Sequence, residues 1–239
     1  KKLGIKDLSE LVSVIKLKKD EKVIYSVTEA MTTNETSFFR DNQPFERFRK
    51  VVMPYLYKKV GKSRKIRIWS AACSSGQEPY SLSMCILEDQ KKFPDAQFEI
   101  IGTDISHAIL DKARNATYSQ FEVQRGVPIT MLVKYFMQDG ETWKIKDVVK
   151  SMVSFEYFNL LDSLDKFGKF DFVLCRNVLI YFEMEAKTQI LDKIYRQMQD
   201  HGLLMIGGSE TLYGISDKFK QYNGEPDEDT KGIFCLGKS

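Results

Sequence analysis

Little in this chain invites metal or redox chemistry. Its four cysteines, Cys73, Cys85, Cys175 and Cys235, lie far apart with no C-x-x-C pair, and the only histidines are His107 and His201. That scarcity argues against a zinc site and against a disulfide framework. Long apolar runs are missing too: none approaches the roughly 18 residues that span a bilayer, and the opening KKLGIKDLSE lacks the apolar core of a signal peptide. A cytoplasmic location is therefore expected. Net charge is small, +3 from 36 basic and 33 acidic residues, too balanced to imply nucleic-acid binding. Repeats and low-complexity segments are absent. What is present is an ordinary globular composition, 43% hydrophobic and 29% charged over 239 residues, enough for one sizeable core.

The charge is unevenly spread. Residues 1–28 hold seven lysines (Lys1, Lys2, Lys6, Lys16, Lys18, Lys19 and Lys22) against four acids, which reads either as a solvated helix face or as a docking surface for an acidic partner. In the same segment Leu8, Leu11, Val12 and Ile15 follow the i, i+3, i+4, i+7 spacing of one helix face. With two lysines and no methionine at its start, the helical part is expected to be truncated. A further helix is predicted over 44–60, bent or ended by Pro54.

From Lys65 the pattern alternates between short apolar runs and longer amphipathic stretches, as in β-α-β units with a parallel sheet. Strands are predicted at 65–71, 97–104, 170–175 and 202–208, with helices at 79–90, 106–115 and 184–200. The order implies a doubly wound α/β fold, which binds ligands at the carboxyl ends of its strands. Two stretches break the alternation. Residues 128–138 read as a helix and 143–158 as two β segments, an antiparallel excursion, while the segments around 211–223 and 232–238 read as a closing hairpin with the acidic PDEDT (226–230) as its loop.

Four constellations carry chemistry. The first is the loop after the first strand, ACSSGQEPYS (72–81), whose small residues let backbone approach a ligand at a helix amino terminus. It has one glycine where a dinucleotide site would show G-x-G-x-x-G, and Glu78 would repel a pyrophosphate while suiting a cationic cofactor. An ordinary tight turn is the plainer alternative. The second is Asp104 at the end of strand two, placed to accept both hydroxyls of a ribose, or simply to cap the helix beginning near Ser106. The third is CRNVLIYF (175–182), where a buried strand abruptly presents Arg176 and Asn177. Tyr181 there offers a ring face for a cation, worth about 1 kcal/mol, or simple packing. The fourth is TTNETSFFRD (32–41), dense in polar groups held by two phenylalanines, with a helix N-cap at Thr36 or Ser37 as the alternative. His107 and His201 read as a helix-start residue and a turn residue, and Cys73 as a small residue in the loop.

Taken together, TTNETSFFR, WSAACSSGQEPYS, GTDIS, YFNLLD and CRNVLIYF resemble the chemotaxis receptor glutamate methyltransferases, the CheR family. The resemblance runs in order from about Thr32 to the final hairpin. It implies a small helical amino-terminal domain with its linker (1–60), a Rossmann-like doubly wound catalytic domain dependent on S-adenosylmethionine (61–239), and a β-subdomain at about 139–158. It further implies cofactor contacts at Asn34, Thr36, Arg40, Glu78, Asp104, Asn159, Leu160, Arg176 and Asn177. The implied reaction is methyl transfer to glutamate carboxylates on chemoreceptor cytoplasmic helices, yielding S-adenosylhomocysteine. Arg40 and Tyr181 are expected to serve the transfer itself. The loop MQDGETW (137–143) looks shorter than in relatives that bind a receptor carboxy-terminal pentapeptide, which argues against tethering of that kind. Two other readings fit the same motifs: a methyltransferase of this fold with another acceptor, and an idle cofactor-sensing or scaffolding module.

Overall fold

The computed structural model describes residues 5–18 and 20–237, so Lys1, Lys2 and Lys19 of the basic segment lie outside the described residues. Its strands are β1 (Ile66–Ala71), β2 (Phe98–Asp104), β3 (Thr117–Ser119), β4 (Phe136–Asp139), β5 (Thr142–Ile145), β6 (Val153–Tyr157), β7 (Phe170–Cys175), β8 (Met198–Ile206), β9 (Phe219–Gln221) and β10 (Ile233–Leu236). The main sheet runs β6-β2-β1-β7-β8-β10-β9. Every neighbouring pair from β6 to β8 is parallel, and β10 pairs antiparallel with β8 and β9. The chain works outward from β1 to β2 and β6, then returns to lay β7 on the other flank of β1. That reversal opens a crevice at the carboxyl ends of β1 and β7, where α/β sheets take their ligands.

Strand periodicity sends alternate residues to two separate cores. Ile66, Ile68, Phe172, Leu174, Leu203 and Met205 face one core, whereas Trp69, Ala71, Val173, Cys175, Leu204 and Ile206 face the other. The first core is covered by the helices of residues 43–60 and 77–89, with Phe48 stacked on Phe172 at 5.6 Å between centroids. The second is covered by the helix Met184–Gln197 through Ile190, Leu191 and Ile194. Each such side chain contributes about 1.5–3 kcal/mol on burial.

Pro54 neither ends nor breaks its helix. The chain is helical from Gln43 to Val60, with a wider π turn at Phe48–Val52 directly before the proline. There the Met53 amide reaches back five residues to the Phe48 carbonyl, and the widened turn accommodates the ring and the missing proline donor. The small antiparallel sheet is β3-β5-β4, drawn from residues 117–145. Residues 153–157, expected to belong to that excursion, instead form β6, the parallel edge of the main sheet, because Val153 and Phe155 pack against the first core. The expected helix over 128–138 stops at Tyr135, where β4 begins. The closing hairpin forms as read, as β9 and β10.

The helix Leu8–Ser13 and the π turn Val14–Lys18 that continues it form where the apolar spacing predicts helix, and a second helix, Glu21–Met31, follows. Apolar residues of this amino-terminal segment are poorly covered: Leu8 is 74% exposed and Leu17, in the turn of residues 14–18, 82%. Among the described residues no helix is long and apolar enough to cross a membrane.

At the amino end of β7, opposite the crevice, Asp171 is fully buried and bound by Arg64 at 2.6 and 2.7 Å, by the Arg67 amide at 2.8 Å and by His201 Nε2 at 2.8 Å. His201, expected in a turn, thus lies inside β8 and serves structure. Burial would raise the Asp171 carboxyl, but these donors outweigh it and hold it below the usual carboxylate range. With the folded value below the unfolded one, this stabilisation is present above the ordinary aspartate pKa near 4 and is lost as pH falls through the folded value. Asp171→Ala is expected to cost roughly 3 kcal/mol by denaturant unfolding at pH 7, a difference that shrinks on acidification.

Candidate active site

The loop from Ala71 to Gly76 is shaped by its partners. The Cys73 amide donates to the Thr103 carbonyl at 2.9 Å, and the Ser74 amide donates to Asp104 Oδ2 at 2.9 Å. Ala72 (φ 52°) and Ser74 (φ 51°) both take left-handed backbone without being glycine, a cost of about 1–3 kcal/mol each that such clamping offsets. Gly76 (φ 88°) then opens the helix Gln77–Asp89, and a Cβ there would come within 3.0 Å of Ala113 and Phe155. Cys73 is buried, which pushes its thiol well above its ordinary value and leaves it inert.

Asp104 ties the loop after β1 to the start of the next helix without itself being that helix's N-cap. It is 5% exposed, and besides Ser74 it accepts from the Ser106 amide at 3.0 Å. Burial raises its carboxyl above the ordinary aspartate value, opposed by amides of Ser106, Ser74 and Ile105. Ser106 is the N-cap of the helix His107–Asn115. His107 opens that helix, as expected, and its ring lies flat on Tyr157 at 4.2 Å.

Opposite Asp104 stands a buried ion network. The Arg176 side chain is 1% exposed; Nη1 donates to Glu78 Oε2 at 2.7 Å, and Nη2 donates to Asp41 Oδ2 at 2.9 Å and the Arg40 carbonyl at 3.2 Å. Glu78 also accepts from the Ser70 hydroxyl at 2.8 Å. Arg176 Nε is buried with no hydrogen-bond partner among the described residues. Glu78, at the first turn of its helix, is further favoured by the helix dipole.

Residues 32–37 run as an extended strap, and no helix starts at Thr36 or Ser37; the next one begins at Gln43. The reason is local. Phe39, Asp41 and Asn42 adopt φ of 49°, 66° and 51°, a turn that drives Phe38 and Phe39 into the core and hands the Phe39 amide to Ser81 Oγ at 3.0 Å. The strap is tied down by Ser74 Oγ donating to the Asn34 carbonyl at 2.9 Å, and Arg40 Nη1 donates to the Glu35 carbonyl at 2.9 Å.

These segments enclose one cavity of about 400 Å³ at the carboxyl ends of β1, β2 and β7, within the size range of small-molecule sites. Every residue singled out from the sequence lines it: Asn34, Thr36 and Arg40 from the strap, Glu78 from the helix, Asp104 from β2, Asn159 and Leu160 after β6, and Arg176, Asn177 and Tyr181 after β7. Asn159 Oδ1 accepts from the Leu161 amide at 3.0 Å, turning the chain so that Leu160 is buried. Tyr181 stands at the rim, 60% exposed.

Sequence reasoning missed the groups that hold this wall together. Glu29, from the amino-terminal helix Glu21–Met31, accepts from the Ser106 hydroxyl at 2.6 Å and the His107 amide at 2.8 Å, fastening that helix beside Asp104. Asp41 completes the Arg176 network. Glu210 was not foreseen either, since an acid in a loop carries no local sign of what it will accept. Among the described residues no group of acids, cysteines and histidines could hold a metal.

Residues 34–227 match the family described as CheR methyltransferase, SAM binding domain. The chain is 44% identical over 227 residues to "Chemotaxis protein methyltransferase 1" of Pseudomonas aeruginosa, covering 93% of this chain and 82% of that protein. It is 40% identical over 227 residues to "Chemotaxis protein methyltransferase Cher2" of Pseudomonas putida, with the same coverage of both chains. To "Chemotaxis protein methyltransferase" of Vibrio parahaemolyticus it is 38% identical over 228 residues, covering 94% and 82%.

Removing the cation from between Glu78 and Asp41 would leave the largely buried Glu78 carboxylate with the Ser70 hydroxyl but no counter-charge. Arg176→Leu is expected to destabilise the fold by roughly 3–5 kcal/mol in chemical denaturation, whereas Asp41→Asn, at the exposed end of the network, should cost under about 1 kcal/mol.

Proposed function

The chain belongs to the CheR methyltransferase family, an S-adenosylmethionine-dependent methyltransferase of chemotaxis, and from that membership we propose that it esterifies glutamate side chains on chemoreceptor cytoplasmic helices. One observation supports this most: five segments distant in sequence converge on a single pocket with acids on two walls. The donor set fits the cofactor. Asp104, at the end of β2, is an acceptor for ribose hydroxyls, and Glu78 supplies negative charge toward a cationic group. Among the described residues Arg176 Nε is a buried donor without an acceptor. Asn34, Thr36, Asn159, Leu160 and Asn177 complete the walls.

When bound, S-adenosylmethionine supplies a methyl group activated by its sulfonium. A glutamate acceptor is ionised at neutral pH, with a reference pKa of about 4.3, so the protein needs no general base. Its contribution is alignment, which can supply up to roughly 7–11 kcal/mol, together with exclusion of water. Arg40, held by the strap at the pocket wall, orients the acceptor carboxylate. Tyr181 at the rim presents a ring and hydroxyl along the path of the incoming side chain. In this reading the helices of residues 8–31 face the receptor, residues 61–239 form the catalytic domain, the acceptor is engaged without a peptide tether, and the protein works in the cytoplasm.

Calorimetry with S-adenosylhomocysteine is expected to show micromolar binding, near −8 kcal/mol, weakened at least tenfold by Asp104→Ala. Because protonation removes the acceptor and burial raises the Asp104 carboxyl, wild-type affinity should fall as pH drops toward that raised value; the Asp104→Ala protein should show little of this dependence. Labelled S-adenosylmethionine offered with purified receptor cytoplasmic domains should give base-labile methyl esters. Label appearing only on other acceptors would overturn the receptor assignment, and Arg40→Ala retaining kcat/KM within about threefold, a change below 1 kcal/mol, would remove Arg40 from the transfer step.

A further inference from the structure

Glu210 follows β8 and belongs to none of the motifs that define the pocket, yet its carboxylate collects four backbone amides. Oε2 accepts from Asn177 at 2.7 Å and Gly207 at 2.8 Å, while Oε1 accepts from Val178 at 3.0 Å and Leu179 at 2.8 Å. Three of those donors are consecutive. They carry the chain from β7 into the 3₁₀ turn Leu179–Tyr181, and Asn177 enters it in left-handed backbone at φ 57°. Successive amides bent this way form an anion-binding nest, here filled by the chain's own carboxylate. Bonds to a charged acceptor are roughly twice as strong as neutral ones, enough to hold a strained turn. Close approach is built in at Gly207, where a Cβ would lie 2.6 Å from Glu210 Oε2.

Resting on the function proposed above, we infer that Glu210 is a positioning residue for methyl transfer, fixing Asn177 and Tyr181 on the pocket wall from outside it. Both of those residues line the cavity, whereas Glu210 does not. The opposite walls, Asp104 on β2 and Glu78 on the helix Gln77–Asp89, are held by other contacts. Of the proposed cofactor contacts only Asn177 donates to Glu210, so loss of the Glu210 charge disturbs transfer, which uses Tyr181, more than cofactor retention.

Glu210→Gln separates the possibilities, because an amide offers one acceptor oxygen and can satisfy only one of the two amide pairs. The variant is expected to keep the wild-type circular dichroism spectrum. Hydrogen exchange at Asn177, Val178 and Leu179 in the cofactor-free protein should quicken at least tenfold while β1 and β2 are unchanged. With receptor domains as acceptor, kcat should fall at least tenfold and the Kd for S-adenosylhomocysteine should stay within threefold. Unchanged exchange at the turn, or an unchanged kcat, overturns the proposal, as does a loss of cofactor affinity as large as the loss in kcat. If Glu210→Gln does not fold, Glu210→Asp, which keeps the charge but withdraws it by one methylene, is judged by the same readings. If wild type transfers nothing to receptor domains, the glutamate reading fails, and the exchange and binding results still decide whether Glu210 holds the turn.

Discussion

The Arg176 guanidinium lies buried at the end of β7 with carboxylates from two other segments against it, Glu78 on the helix after β1 and Asp41 on the strap. Desolvating a cation there is tolerable only because both acids and a main-chain carbonyl surround it. In return, three pieces of chain that local forces would leave independent are fixed relative to one another around the crevice between β1 and β7. The cavity depends on that arrangement: the strap forms one wall, the helix terminus another, and the turn after β7 a third.

Around this network the backbone is unusually strained. Phe39, Asp41, Ala72, Ser74 and Asn177 all take positive φ without being glycine, and all lie on the strap or loops that shape the pocket. Such conformations persist where the surroundings over-determine them. Asp104 does so for Ser74, Glu210 for Asn177, and the packing of Phe38 and Phe39 for the strap turn. The same acids thus shape the loops, and the pocket inherits its form from them.

The structure also explains how an amino-terminal helix can bear on the pocket at a distance. Glu29 caps the helix His107–Asn115 beside Asp104, so the amino-terminal helices are fastened at the edge of the proposed cofactor site although much of their apolar face is open to solvent. The helix Glu21–Met31 buries only Val23 and so gains little from tertiary packing, the usual source of helical stability; polar attachment through Glu29 supplies part of what burial does not.

Much of the architecture was legible in the chain itself. Alternation of apolar residues in β1, β2, β7 and β8 fixes two buried faces, and the run of strands and helices implies a doubly wound sheet with its site at the strand ends. The motif residues were legible as well, because Asp104 and the pair Arg176–Asn177 end apolar strands where a core would admit no charge, and Glu78 is an acid at a helix start in a loop of small residues. What the sequence could not show was pairing between distant segments. Whether residues 153–157 joined the small sheet or the edge of the large one depended on which neighbour offered an unpaired strand, and β2 did. Pro54 sits within a continuing helix because a π turn, invisible in residue spacing, makes room for it. Glu210 looks like any loop acid until β7 and β8 lie side by side and bring the three amides of the turn after β7 to it, beside that of its own neighbour Gly207. Local patterns record each segment's burial and periodicity, but a hydrogen bond between residues 30 or more positions apart exists only once the sheet has set their distance.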